Sequence, residues 1–190
     1  MRISIITPTL QRESLVRCCE SINNQTLKSW THIVQMDCAD EDLNSDLMFR
    51  LAHPQRLFFC CGQKHGNYGN RCRHLAWEHA AGEYLIYLDD DNFLADDKIL
   101  EDISIALADD PKWAIFPIHR HGWYFFHDPP GMCMIDTLNV VVQREIGRWP
   151  DIEPREADGY WVEALKDKYP YAAFPQFRPI GIMETSSNGI

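Results

Sequence analysis

Residues 82–93, GEYLIYLDDDNF, place three aspartates in a row, Asp89, Asp90 and Asp91, directly behind an apolar run in a chain whose formal net charge is already −10. Adjacent carboxylates repel one another, so such a cluster needs either open water or a cation. In extended backbone Asp89 and Asp91 point to one face and Asp90 to the other. Mg²⁺ and Mn²⁺ take oxygen ligands, typically one or two carboxylates, with water and phosphate oxygens filling the remaining positions. The bland alternative is a solvated acidic turn lying against the positive N-terminus of the next helix. A second cluster, His119, His121 and His127 in HRHGWYFFH, invites a zinc reading through the alternating pair, although zinc requires a firmer ligand set.

The elements that position these residues alternate. Residues 3–9 (ISIITPT) form a β-branched run closed by Pro8, and 31–36 (THIVQM), 56–60 (RLFFC) and 84–88 (YLIYL) read as further strands. Helices are expected over 13–25, 42–53 and 71–81, with a glycine- and asparagine-rich loop over 61–70. Such alternation implies right-handed crossovers and a mainly parallel sheet, and ligands of such sheets sit beyond the carboxyl ends of the strands. Thr7-Pro8-Thr9, Asp37 and Asp89–Asp91 all follow strands and should share one rim. Downstream, 96–110 and 156–169 read as helices, 113–118 and 137–142 as strands, and 183–190 as a frayed tail.

Composition narrows the function. With 190 residues, 45% hydrophobic and 24% charged, the chain fits one soluble domain, residues 1–190. No apolar run approaches the roughly 20 residues of a membrane span, and the N-terminus is too short and too β-branched for a signal peptide. Seven cysteines, an odd number with no CxxC, argue against a disulfide framework or a zinc site and for reduced thiols in a cytoplasm. The acidic balance disfavours nucleic acid as a partner.

Taken together, ISIITPT with the following Arg12, QTLKSWTHIVQMD, NYGNRCRHLAWEHAAGEYLIYLDDDN and EADGYWVEAL resemble the inverting family 2 glycosyltransferases over roughly residues 3–165. The likeness extends to small soluble bacterial members such as the spore-coat polysaccharide enzyme. The resemblance implies an α/β, Rossmann-like nucleotide-diphospho-sugar transferase domain with a mainly parallel central sheet flanked by helices. Residues 1–95 would be the nucleotide-binding half and 96–190 the acceptor-side half. It implies a metal-dependent transfer of a sugar from a nucleotide-diphospho-sugar, UDP-linked, to a hydroxyl of a glycan, lipid-linked or small-molecule acceptor. Thr7, Pro8, Thr9 and Arg12 would line the nucleotide pocket. Asp37 would meet the uracil, Asp90 the ribose, and Asp91 the Mn²⁺ or Mg²⁺ on the diphosphate, with Asp89 able to share either role. Asp158 matches the catalytic base, with Glu156 as the alternative for that role. Arg73 either approaches a phosphate or lies on the surface. The family's usual histidine near MIDTLNV is replaced here by Asp136-Thr137.

In the same frame, Trp123 or Tyr124 would stack on an acceptor sugar or simply fill a core. Many members of that family act at a membrane on lipid-linked acceptors, so a chain with reduced thiols and no apparent span is expected in the cytoplasm or at a membrane periphery. Two rivals stand beside the transferase reading. A sugar-nucleotide nucleotidyltransferase also uses strand-end carboxylates, but it opens with a glycine-rich phosphate loop that TPTLQRES lacks. A catalytically degenerate nucleotide-sugar binding module would keep the cleft and lose turnover.

Overall fold

A computed structural model describes residues 1–183, so the expectation of a frayed tail falls, but for Met183, outside the described residues. Its centre is a seven-stranded sheet. The strands are β1 (Ile3–Thr9), β2 (Trp30–Met36), β3 (Arg56–Cys60), β4 (Tyr84–Tyr87), β6 (Trp113–Ile115), β9 (Val140–Gln143) and β10 (Tyr171–Ala173), in the order β10-β6-β9-β4-β1-β2-β3. All neighbours are parallel except β9, which runs antiparallel to both β4 and β6. A smaller four-stranded sheet, in the order β5-β11-β7-β8, joins β5 (Asn92–Leu94), β7 (Ile118–Arg120), β8 (Trp123–Phe125) and β11 (Gly181–Met183).

Two-residue alternation sorts the sheet's side chains into two cores. Ile3, Ile5, Tyr84 and Ile86 pack with Cys18 and Ile22 of α1 (Ser14–Asn23) and Ile99, Leu100 and Ile103 of α4 (Ile99–Ala106). Ile6, Leu85 and Tyr87 face the other way, toward Ala76 of α3 (Asn70–Ala76) and Trp161, Val162 and Leu165 of α5 (Ala157–Lys166). Both faces are therefore covered, which is why β1, β2 and β4 are buried at every position and read as unbroken apolar runs. Gly82, entering β4, lies so near β1 that a Cβ there would meet the Ser4 backbone nitrogen at 2.5 Å.

Several boundaries differ from the expected ones, each for a local reason. The helix expected over 42–53 is a 3-10 turn at Asp40–Asp42 followed by a short α2 (Ser45–Arg50). Leu43 between them is extended, and Asn44 caps the helix by accepting the Leu47 N–H at 3.0 Å. The strand expected over 113–118 breaks at Pro117, which has no N–H to donate, and the chain passes there into the second sheet. Likewise the strand expected over 137–142 opens as a 3-10 turn, Thr137–Asn139, capped by Asp136. The aromatic segment after His119 folds as the β7–β8 hairpin, turning on His121 and Gly122, both at positive φ.

Beneath β1–β3 lies a buried polar network. Arg56 donates from Nε to His32 Nδ1 at 2.8 Å and from its other nitrogens to the carbonyls of Leu51 and Cys19 and to Asn23. His32 Nε2 meets the Thr7 hydroxyl at 2.9 Å. Burial lowers the pKa of both His32 and Arg56, and the carbonyls solvate the guanidinium in place of water. Among the described residues, no helix is long and apolar enough to cross a membrane.

Candidate active site

Beyond the carboxyl ends of β1, β2 and β4 opens a cleft of about 530 Å³, within the usual range of small-molecule sites. The rim expected from the strand order is there. Pro8, Thr9 and Arg12 come from β1 and the turn after it, Asp37 from the end of β2, and Asp89–Asp91 from the end of β4. Asp158, in the first turn of α5, closes the far wall. Among the described residues, six carboxylates and four guanidiniums, those of Arg12, Arg73, Arg120 and Arg155, line the cavity, so negative charge is in excess.

The three aspartates have different surroundings. Asp90 is fully buried; it accepts the Thr9 hydroxyl at 2.6 Å and two bonds from Arg12, at 2.5 and 3.2 Å. Burial nevertheless leaves its pKa raised, with the Thr9 hydroxyl and Arg12 pulling the other way. Asp90 thus ties β1 and the turn after it to β4. Asp89 pairs with Arg73, which is only 5% exposed. Arg73 also donates to the Tyr68 carbonyl at 2.8 Å and lies over the Trp149 ring at 4.9 Å, so it is a buried cleft residue rather than a surface one. Asp91 has the weakest pairing of the three: its side chain is 30% exposed and Arg12 approaches it at 3.6 Å. Burial, then the like charges of Asp89 and Asp90, raise its pKa.

Asp37 is buried and accepts backbone N–H groups from His65 at 2.6 Å and Gly66 at 2.8 Å. A carboxylate has about four acceptor sites, so capacity remains on its cleft side. Asp158 accepts the Gly159 N–H at 2.8 Å, and burial raises its pKa against that bond and the charge of Arg73. Glu156 precedes α5 at an exposed position and does not line the cleft. Nor does Thr7, whose hydroxyl is committed to His32 inside the sheet.

A model of the family described as glycosyl transferase family 2 matches residues 4–172. The chain belongs to that family. Solved structures agree at the level of fold. S. aureus TarS 1–349 in complex with UDP-GlcNAc aligns with a TM-score of 0.79 at 12% identity, over 100% of this chain and 60% of that one. A mannosyltransferase from Pyrobaculum calidifontis in complex with GDP-Man and Mn²⁺ aligns with a TM-score of 0.70 at 17% identity, over 92% of this chain and 55% of that one. This family 2 chain therefore spans 60% and 55% of the lengths of these two solved structures. No curated protein sequence matches it.

The family 2 cleft also holds residues that strand-end reasoning does not reach. Asp136 is 8% exposed, caps the 3-10 turn through the Leu138 N–H at 3.1 Å, and lines the cavity. Its carboxyl is pushed up to about 6 by burial and then by the negative charge of Asp89. Arg120 arrives on the β7–β8 hairpin and Trp149 on the loop before α5. For Asp136 a signal existed, an acid where the resemblance expects a histidine. Arg120 had none, because its approach depends on the second sheet. His119, His121 and His127 do not assemble into a metal-binding group among the described residues. Trp123 is 79% exposed, and Tyr124 donates its hydroxyl to the Pro175 carbonyl at 2.6 Å. Arg178 pairs with Asp96 and Asp102 outside the cleft.

Proposed function

We propose that this chain is a metal-dependent, inverting glycosyltransferase. It would move a sugar from a nucleotide-diphospho-sugar, UDP-linked, to an acceptor hydroxyl. The observation that carries the reading is a single cleft in a family 2 fold that holds Asp37 and the triple aspartate at the strand ends and Asp158 in the first turn of α5. The TarS complex with UDP-GlcNAc supports a uridine donor and the Pyrobaculum complex a divalent cation, each by likeness of fold.

The residues fit a hard divalent cation. The donors are all oxygens, negative charge exceeds positive in the cleft, and Asp91 is the least neutralised of the three aspartates. Asp91 would hold Mn²⁺ or Mg²⁺, with Asp89 and Asp136 as neighbouring carboxylates. Bound there, the ion supplies positive charge against the departing diphosphate.

The chain's own residues do the rest. Asp37 accepts a hydrogen bond from the base. Thr9 and Arg12, held by Asp90, shape the pocket beside the ribose, with Asp90 as their anchor. Arg73, fixed by Asp89 and Trp149, offers a buried positive charge near the phosphates. Asp158 takes the proton of the acceptor hydroxyl as its oxygen attacks the anomeric carbon, while the bond to the diphosphate breaks and its electron pair leaves with the phosphate. One in-line displacement inverts the anomeric centre. Burial around Asp158 raises its proton affinity, which suits a base that must hold a proton.

The acceptor side is formed within residues 96–190, and the protein acts in the cytoplasm or at a membrane periphery. The binding-module rival differs in one measurable respect. Asp158→Asn should abolish sugar transfer and leave the UDP-sugar-induced rise in melting temperature unchanged. Full activity in that variant refutes the assignment of the base, and a wild type that binds the donor without ever turning it over favours the binding module.

A further inference from the structure

Asp37, Cys61 and Cys72 come from three separate elements: the end of β2, the residue after β3, and α3. One carboxylate oxygen and the two sulfurs all lie within 4.8 Å of one another, and the sulfurs are 3.3 Å apart. In tetrahedral zinc sites, Zn–S of about 2.3 Å and Zn–O of about 2.0–2.2 Å put neighbouring ligand atoms roughly 3.5–3.8 Å apart. The triangle is thus sized to share one ion with little movement. Two sulfurs and one oxygen suit a borderline-soft cation and not the hard one expected at Asp91.

An independent observation points to the same place. Gln35 is 2% exposed, its amide nitrogen lies 3.4 Å from Cys61 Sγ, and its amide oxygen is buried without a hydrogen-bond partner. An orphaned buried amide oxygen is costly. The two ends of an amide are near-isosteric and their assignment follows from the surroundings. Turned over, the same side chain sets its oxygen about 3.4 Å from Cys61 Sγ, close to the spacing of neighbouring ligands in such a site. Cys61 is only half-buried, which leaves a way in. The neighbouring pair Cys38 and Cys60, 3.5 Å apart, has no such third donor among the described residues: the Cys60 thiol donates to the Cys38 carbonyl at 2.9 Å.

We infer that Asp37, Cys61 and Cys72, with Gln35 or a water completing the shell, form a binding site for one borderline-soft divalent cation such as Zn²⁺. The site shares Asp37 with the donor cleft, so a bound ion ties the loop 61–70 to the end of β2 just where the base would sit. Binding displaces the thiol protons, giving two thiolates that neutralise the ion's charge.

Cobalt titration of the reduced full-length chain tests this, with Co²⁺ as the probe and Zn²⁺ as competitor. The expected result is one Co²⁺ per chain with thiolate-to-cobalt charge-transfer absorption, abolished by stoichiometric Zn²⁺ and unaffected by excess Mg²⁺. Cys61→Ser and Cys72→Ser should each remove or sharply weaken the band, and Cys38→Ser should keep it. Absence of the band in the wild type overturns the proposal whatever the variants do. So does a band that survives both serine variants or disappears with Cys38→Ser. None of these readouts involves sugar transfer, so their failure is separable from failure of the transferase reading.

Discussion

Asp136→Asn should stabilise the protein at neutral pH, in the absence of divalent cations, and the size of the gain follows from the burial of one carboxyl. The Asp136 carboxyl is pushed from its ordinary 3.8 up to about 6, mainly by burial and next by Asp89. Two pKa units at about 1.4 kcal/mol each make the ionised form cost roughly 3 kcal/mol above pH 6. The direction is fixed by linkage. Between about pH 4 and pH 6 the folded chain holds this proton more tightly than the unfolded chain, so stability falls as pH rises through that window and is level beyond it. Asparagine removes the charge and keeps the acceptor for the Leu138 N–H, now 3.1 Å from the carboxylate. Urea unfolding at pH 7 should therefore show a gain of about 2–3 kcal/mol over wild type, shrinking to near zero below pH 4. A variant no more stable than wild type at pH 7, or one whose gain is the same at both pH values, refutes the reasoning. A stabilising substitution at a native acid is the pattern expected where a residue is kept for function at a cost in stability.

Other perturbations read other parts of the account. Thr9→Val removes the 2.6 Å donor to the buried Asp90 carboxylate, and a urea titration should show a loss of about 1–3 kcal/mol; an unchanged midpoint would mean Arg12 suffices. Gly82→Ala drives a methyl to within 2.5 Å of the Ser4 nitrogen, and thermal melting should show a loss of at least about 1–3 kcal/mol. Asp158 must be deprotonated to act, and its pKa is raised by burial. Transfer rates should therefore climb with pH through a midpoint above 3.8, and that limb should vanish from any residual activity of Asp158→Asn.

Much of this was legible in the residues. Unbroken apolar runs such as YLIYL mark strands covered on both faces, and the aspartates that follow them must fall on one rim once the sheet is parallel. Apolar periodicity also finds α1, whose Leu15, Cys18, Cys19 and Ile22 are buried. What was not legible is tertiary. The antiparallel insertion of β9 between β4 and β6 depends on neighbours distant in sequence, as do the three-residue strands β10 and β11. The commitment of Thr7 to His32, and of Arg56 beneath it, depends on a buried partner that no local pattern announces. Of the residues that line the cleft, Asp37 and the triple aspartate were readable because each follows a strand, and Asp158 only through the family resemblance. Arg120 was not, because a second sheet delivers it.

The central claim is that a cation beside Asp91 lets a diphosphate dock against an acidic cleft. Titration calorimetry of a UDP-linked sugar into the chain with and without Mn²⁺ addresses it most directly. The account predicts saturable binding with Mn²⁺, little without it, and loss of the difference in Asp91→Asn. Equal binding with and without the cation, or none in either case, would contradict it.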